Sequence, residues 1–359
     1  MLFLPYVRGW FVAAGLDWAY LAALASAVAF FGVPVLRRIA FALGVLDNPS
    51  ARKIHQYATP LLGGAAVYAA FAITVLFNFD FSRGLKGVAL GATIVVVLGL
   101  LDDAFDLPAP LKLAGQVAAA TVAMTYGVVL DVVPLAIPGA AWLNLVLTLL
   151  WFLTVTNAMQ FLDGMDGLAA GLGVIAGFFF SIAALQMHQS YIFILAAPLV
   201  GACLGFLPYN LRPGGALIFL GDSGASFIGF TLAGLAVMGE WAENNPIVAL
   251  LTPVLILAVP LFDIAFVGVV RIVTGKVHSL REWLAYAAKD HIHHRFEAVG
   301  LSKTQSVFLI YFIAATLGLS AILLKEATPR EAALVLLQVA CVLAIIAVLE
   351  GVGRGRPRS

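Results

Sequence analysis

The segment Asn157-Ala-Met-Gln-Phe-Leu-Asp-Gly-Met-Asp-Gly-Leu168 closes an apolar run that begins near residue 141. Its two acids, Asp163 and Asp166, stand three residues apart and each is followed by glycine. Asn157 and Gln160 precede them at the same interval. On a helix, a three-residue step puts each pair on one face, and the glycines let a backbone, a phosphate or a metal come close. An acid near the centre of a membrane helix costs about 2.5–3.5 kcal/mol on insertion scales. If the run crosses a membrane, these acids mark a site.

The composition indicates that it does. The chain has 359 residues, 62% of them hydrophobic and 11% charged, with a mean hydropathy of +1.03. No soluble domain of this size has that balance. Apolar runs lie at about 17–36, 61–79, 85–101, 112–130, 141–160, 167–187, 191–208, 219–239, 247–270, 305–324 and 331–350. They predict an all-α, polytopic integral membrane protein of about 11 transmembrane helices, a single membrane domain over 1–359. Residues 2–14 are apolar but short, with Pro5 and Arg8, and read as an interfacial entry segment. No basic stretch leads into an Ala-x-Ala site, so no removable signal peptide is expected. The net charge of +1 argues against a nucleic-acid partner. Cys203 and Cys341 sit inside apolar runs and read as buried, inert thiols.

Charge sets the orientation. With the N-terminus outside and the C-terminus cytoplasmic, fifteen of the twenty Lys and Arg fall in inner loops or the tail, the positive-inside pattern. The polar clusters at 47–55, 102–112, 157–167, 209–224 and 276–295 then share the cytoplasmic face, while the outer loops are short and chemically plain. The clusters read as one composite site, with active-site loops at about 37–60, 102–111, 160–167, 209–218 and 271–304. No internal repeat is evident.

Each cluster offers distinct chemistry. In Asp47-Asn-Pro-Ser-Ala-Arg-Lys-Ile-His55, residues Arg52, Lys53 and His55 present cations to a phosphate, or simply form a positive-inside loop. Gly63-Gly64 beyond it permits close helix packing. The third run ends Gly99-Leu-Leu-Asp-Asp-Ala-Phe-Asp106, with Lys112 following. Adjacent acids on a helix point about 100° apart, so Asp102 and Asp103 take different jobs. One touches a metal-bound phosphate while the other orients a cation or acts as base. Acids at a helix C-terminus oppose the macrodipole, which favours function over a solvated end.

In Ile218-Phe-Leu-Gly-Asp-Ser-Gly224, Asp222 lies between glycines where a helix begins. It reads as an N-cap or as a carboxylate holding a cation against a phosphate. Lys289-Asp-His-Ile-His-His-Arg295 places three of six histidines within four positions. Contact with phosphate and sugar oxygens suits this run better than zinc, since no cysteine accompanies it. Asp263, in Pro260-Leu-Phe-Asp263 with Arg271 two turns on, reads as an interhelical contact at least as readily as a catalytic acid, and is left outside the site.

Taken in order, these clusters resemble the polyprenyl-phosphate N-acetylhexosamine-1-phosphate transferases. The resemblance runs from about residue 47 to 300. Its pieces are Asp-x-Pro…Arg-Lys-x-His, the Asp-Asp pair with a later Lys, and Asn-Ala-x-x-Phe-Leu-Asp-Gly-Met-Asp-Gly-Leu-Ala. Asn-x-x-Pro, Phe-x-Gly-Asp-Ser-Gly and His-Ile-His-His-Arg complete it. Each piece is weak alone; six in order are specific. The histidine motif and eleven spans are similar to the branch that makes undecaprenyl-diphospho-N-acetylglucosamine. The phospho-N-acetylmuramoyl-pentapeptide transferases rank second. A transporter or lipid flippase is the rival of another class, but transporter sites lie near the midplane between repeats.

The resemblance implies a Mg²⁺ (or Mn²⁺) enzyme of the bacterial inner (cytoplasmic) membrane, with its active site facing the cytoplasm. It implies UDP-N-acetylhexosamine and undecaprenyl phosphate as substrates, and a homodimer by analogy. It places Asp222 and Gln160 as metal ligands, although Gln160 stands where the family usually has Asn. Asp102, Asp103, Asp163, Asp166, His291 and His293 fall on catalytic positions. Lys53, His55, Lys112, Asn157, Asn210, Phe219, His294 and Arg295 fall on substrate-binding ones. Among these, Lys112 meets the phosphates, Asn210 and Phe219 lie near the uridine, and His291 and His293 face the sugar and diphosphate.

Overall fold

A computed structural model describes residues 4–47, 58–242, 245–275, 292–325 and 327–354. The entry segment forms α1 (Leu4–Ala13). The long helices follow as α2 (Asp17–Leu43), α3 (Gly63–Asn78), α4 (Arg83–Phe105), α5 (Ala109–Thr125), α6 (Ala140–Leu162), α7 (Leu168–Gln186), α8 (Ser190–Asn210) and α9 (Gly221–Met238). After them come α10 (Pro246–Ile256), α11 (Ala258–Val273), the short α12 (Ile292–Val299), α13 (Lys303–Leu324) and α14 (Pro329–Arg354). Every one of the eleven apolar runs contains a helix. By length and composition, eight of the described helices can cross a membrane, or nine if α10 and α11 form one span.

The run at 247–270 is not the single helix its composition predicts. It breaks at Leu257, and the two halves meet at 85°. Pro260, in the first turn of α11, has no N–H to offer the carbonyl one turn back, and its ring crowds that position. A second departure from all-α is a two-residue antiparallel ladder, β1 (Leu46–Asp47) on β2 (Thr59–Pro60). Cys203 is buried as expected, whereas Cys341 is exposed on α14.

The centre of the bundle is α9, of which 83% is buried, against 11% for α14. Helix α9 packs on α3, α4, α6 and α7. Lipid tails are as apolar as leucine, so close packing of small residues drives such contacts more than the hydrophobic effect does. Gly64 shows this: a Cβ there would lie 2.1 Å from the Gly224 nitrogen. At Gly99, a Cβ would lie 2.4 Å from the Ser223 Cα. These two contacts seat α3 and α4 directly against the first turn of α9. The otherwise unpaired N–H groups of Gly63 and Gly64 are satisfied by the carbonyls of Phe219 (3.1 Å) and Leu220 (2.7 Å). The packing thus brings the acidic end of α4 to the glycine-flanked start of α9.

Candidate active site

Asp102 and Asp103 sit in the last turn of α4, and they diverge as adjacent helical positions must. Asp102 turns toward α5, where the Lys112 ammonium donates to its Oδ2 at 2.9 Å. Its Oδ1 accepts the Leu107 N–H at 2.8 Å, which closes the chain reversal after α4. Asp103 turns toward α9. It accepts the Asp222 N–H at 2.8 Å, the Ser223 hydroxyl at 2.8 Å and the Ser223 N–H at 3.3 Å. Asp103 therefore caps α9 from another helix, and a carboxylate there complements the positive end of the dipole.

Lys112 also donates to Asp222 Oδ2 at 3.2 Å, so a single ammonium bridges acids from α4 and α9. The side chain of Asp222 is 37% exposed and that of Asp102 only 7%. Asp222 is the open carboxylate of the pair.

The amides of α6 face the same centre. Asn157 and Gln160 share one helix face, as their spacing predicts, and both reach Gln116 on α5. Gln116 was not among the expected site residues. Its signal was its place four residues after Lys112, on the same helix face.

Asp163 and Asp166 depart from expectation, because the helix ends at Leu162 and they do not share a helical face. Residues 163–167 form tight turns, and Gly167 takes a left-handed φ of +83° that a side chain would strain. The Gly221 backbone N–H favours the charged form of Asp163. Burial, and then the negative charges of Asp222, Asp103 and Asp166, hold its carboxyl well above the usual carboxylate range. Asp166 points elsewhere and accepts the Ala216 N–H at 3.0 Å.

Asn210 is buried and clamps the same turn. It accepts the Gly167 N–H at 2.6 Å and donates to the Ile218 carbonyl at 3.0 Å. The Tyr311 hydroxyl donates to the Gly167 carbonyl from the other side. Phe219 is half-buried, its N–H donating to the Pro60 carbonyl at 2.8 Å. Lys53, His55 and His291 lie outside the described residues. His293, His294 and Arg295 ride on α12, where Arg295 is half-buried; the side chains of the two histidines are not among those described.

Asp263, read as an interhelical contact, is one. It is fully buried on α11 and accepts the Ile292 N–H at 2.7 Å, tying the start of α12 to the bundle. Asp263→Ala should destabilise the protein by about 1.5–3 kcal/mol, the range for a hydrogen bond to a charged group. Asp263→Asn keeps an acceptor and should lose less. Thermal unfolding in detergent checks both, and equal midpoints for Asp263→Ala and the parent would refute the assignment.

A divalent cation fits part of this arrangement. Mg²⁺ is commonly bound by one or two carboxylates, with waters and substrate phosphates completing its shell. The open carboxylate of Asp222 meets that need. Among the described residues no three His, Cys, Asp or Glu converge as a self-sufficient metal site. Gln160 fits poorly, because its amide nitrogen, 3.4 Å from Asp222 Oδ2, is the atom that faces the acid.

Comparison with known proteins agrees with the geometry. Residues 85–240, which carry the α4 acids, Lys112, the α6 amides and Asp222, match the model of glycosyl transferase family 4. A Bacillus subtilis protein described as a "Probable undecaprenyl-phosphate N-acetylglucosaminyl 1-phosphate transferase" is 36% identical over 300 residues, covering 82% of this chain and 81% of its own. The decaprenyl-phosphate N-acetylglucosaminephosphotransferase of Mycolicibacterium smegmatis is 33% identical over 358 residues, 90% of this chain and 86% of that one. The Escherichia coli K12 undecaprenyl-phosphate alpha-N-acetylglucosaminyl 1-phosphate transferase is 30% identical over 298 residues, 79% and 77% of the two chains. With similarity extending over most of each relative, the chain belongs to glycosyl transferase family 4, among the polyprenyl-phosphate N-acetylglucosamine-1-phosphate transferases.

Proposed function

We propose that the protein transfers N-acetylglucosamine 1-phosphate from UDP-N-acetylglucosamine to undecaprenyl phosphate, releasing UMP, at the cytoplasmic face of a bacterial inner membrane. The observation that carries the reading is the bridge from Lys112 to both Asp102 and Asp222. It sets a cation beside an open carboxylate where the end of α4 meets the start of α9, which suits a diphosphate. The names of the relatives support the polyprenyl phosphate acceptor. The excess of Lys and Arg in the inner loops supports the orientation.

In this reaction an oxygen of the lipid phosphate bonds to the β-phosphorus of the nucleotide sugar. The bond from that phosphorus to the bridging oxygen breaks, and UMP leaves with the oxygen. Both reactants are anionic, so positioning and electrostatics carry most of the rate. Lys112 meets the phosphates and spreads its charge between the two acids. Asp103 does not touch the reacting atoms in this scheme; it holds the first turn of α9 so that Asp222 faces outward. Bound at Asp222, Mg²⁺ (or Mn²⁺) would supply the neutralising charge that lets one anion approach another. Histidines of the 291–294 run would reach the sugar and diphosphate.

The test is UMP release by purified protein in detergent, with undecaprenyl phosphate and Mg²⁺. UDP-N-acetylglucosamine, UDP-N-acetylgalactosamine and UDP-N-acetylmuramoyl-pentapeptide are offered separately. Release is expected with UDP-N-acetylglucosamine and should be lost on adding EDTA. Release with the pentapeptide donor alone would overturn the donor assignment. Silence with all three from folded protein would overturn the function.

A further inference from the structure

Three amide side chains link α5 and α6 to Asp222, and their order can be worked out from their ends. The Leu153 carbonyl can only accept, so the Asn157 atom 2.8 Å from it is the nitrogen. That nitrogen also lies 2.7 Å from Gln116, whose facing atom must then be its oxygen. The Gln116 nitrogen is left to donate to the Gln160 oxygen at 2.9 Å, and it lies 3.5 Å from the Asn157 oxygen. This leaves the Gln160 nitrogen toward Asp222 Oδ2, at 3.4 Å. An ionised carboxylate also only accepts, so both ends of the relay demand a donor. Both are satisfied because Asn157 donates in two directions. Turning the Gln160 oxygen toward a cation would require Gln116 to turn as well. Asn157 would then meet a donor with a donor, or give up its bond to Leu153.

We propose that Gln160 is a hydrogen-bond donor that positions Asp222, oriented through Gln116 and Asn157, and not an oxygen ligand of the cation. Gln116 is a positioning residue that acts through Gln160. It is 5% exposed, and its hydrogen bonds run to Asn157 and Gln160, so it is joined to Asp222 by hydrogen bonds through Gln160. The relay also accounts for glutamine at position 160. The longer arm keeps its oxygen on Gln116 while its nitrogen extends to Asp222, on the adjoining helix. Its bearing on the cation rests on the proposed role of Asp222; the relay itself does not.

The experiment uses the full chain in detergent with Gln160→Met, Gln116→Leu and the double variant. In EDTA, each single variant is expected to lower the thermal midpoint, and the double to fall no further than the worse single. Gln160→Met as stable as the parent in EDTA, or losses that simply add, would overturn the proposal. The same proteins are then titrated with Mn²⁺ alone, read by electron paramagnetic resonance. Both single variants should weaken binding alike, by about tenfold or more, as loss of an orienting partner does. Loss of Mn²⁺ binding in Gln160→Met with full binding in Gln116→Leu would show a ligand and overturn the proposal. If the parent binds no Mn²⁺, the cation role of Asp222 fails, while the EDTA result still decides the relay.

Discussion

Lys112→Met should lower kcat/KM for UMP release by about a thousandfold, the upper range for removing one preorganised charge-stabilising donor. The ammonium at this position does two jobs. It offsets part of the charge of Asp102 and Asp222, which it holds at 2.9 and 3.2 Å, and in the proposed reaction it meets the phosphates of the donor. Without it the two acids lose the cation they share, and the site carries uncompensated negative charge. The site would then reject an incoming diphosphate. The fold should survive, because the backbone contacts of Gly64 and Gly99 that hold α3 and α4 on α9 do not involve this side chain. Monodisperse protein with an unchanged helical spectrum and no turnover is the expected outcome. Lys112→Arg should recover part of the rate, since the charge remains but the guanidinium is broader and planar. Turnover within tenfold of the parent in Lys112→Met would remove the bridge from the mechanism.

The second large effect comes from a residue with no side chain. Gly64→Ala places a methyl group 2.1 Å from the Gly224 nitrogen and 2.5 Å from its Cα. Both obstacles are backbone, so no rotamer change relieves the clash. Overpacking of this kind costs about 1–3 kcal/mol, and occasionally more. Because α3 and α9 must part, the expected loss lies at the upper end. Activity should fall with stability, since the Gly64 N–H bonds the Leu220 carbonyl two residues before Asp222. Gly32→Ala, on α2 with nothing within 4 Å of its Cβ, is the control and should be neutral or slightly stabilising. Comparison of thermal midpoints and UMP release decides the matter. If Gly64→Ala matches Gly32→Ala, the close approach of α3 and α9 does not hold the site.

Composition and apolar run length were enough to predict the helices, since a long apolar run in lipid must satisfy its backbone internally. Chain-local geometry also carried over. Asn157 and Gln160 share a face because both lie within α6, and Asp102 and Asp103 diverge because adjacent helical residues must. That divergence gives the two acids different partners, Lys112 for one and the start of α9 for the other. Helical spacing failed one turn beyond Gln160, where the end of α6 and Gly167 put Asp163 and Asp166 in turns and separated their directions.

Partners distant along the chain were the part that only the packed structure decided. Asp103 meets the first turn of α9 across 119 residues, and Lys112 meets Asp222 across 110. No periodicity encodes such pairings; they exist because Gly64 and Gly99 let three helices approach within backbone contact. The facing of the Gln160 amide is of the same kind. Its residue type was plain in the sequence, but which end turns toward Asp222 depends on a carbonyl at Leu153 and an amide on another helix. Residue types and run lengths therefore determined that the chain is mostly helical with several membrane-length apolar helices, and they pointed to the candidate site residues other than Gln116. Close helix packing and hydrogen-bond direction, which act between distant segments, determined which partners those residues meet.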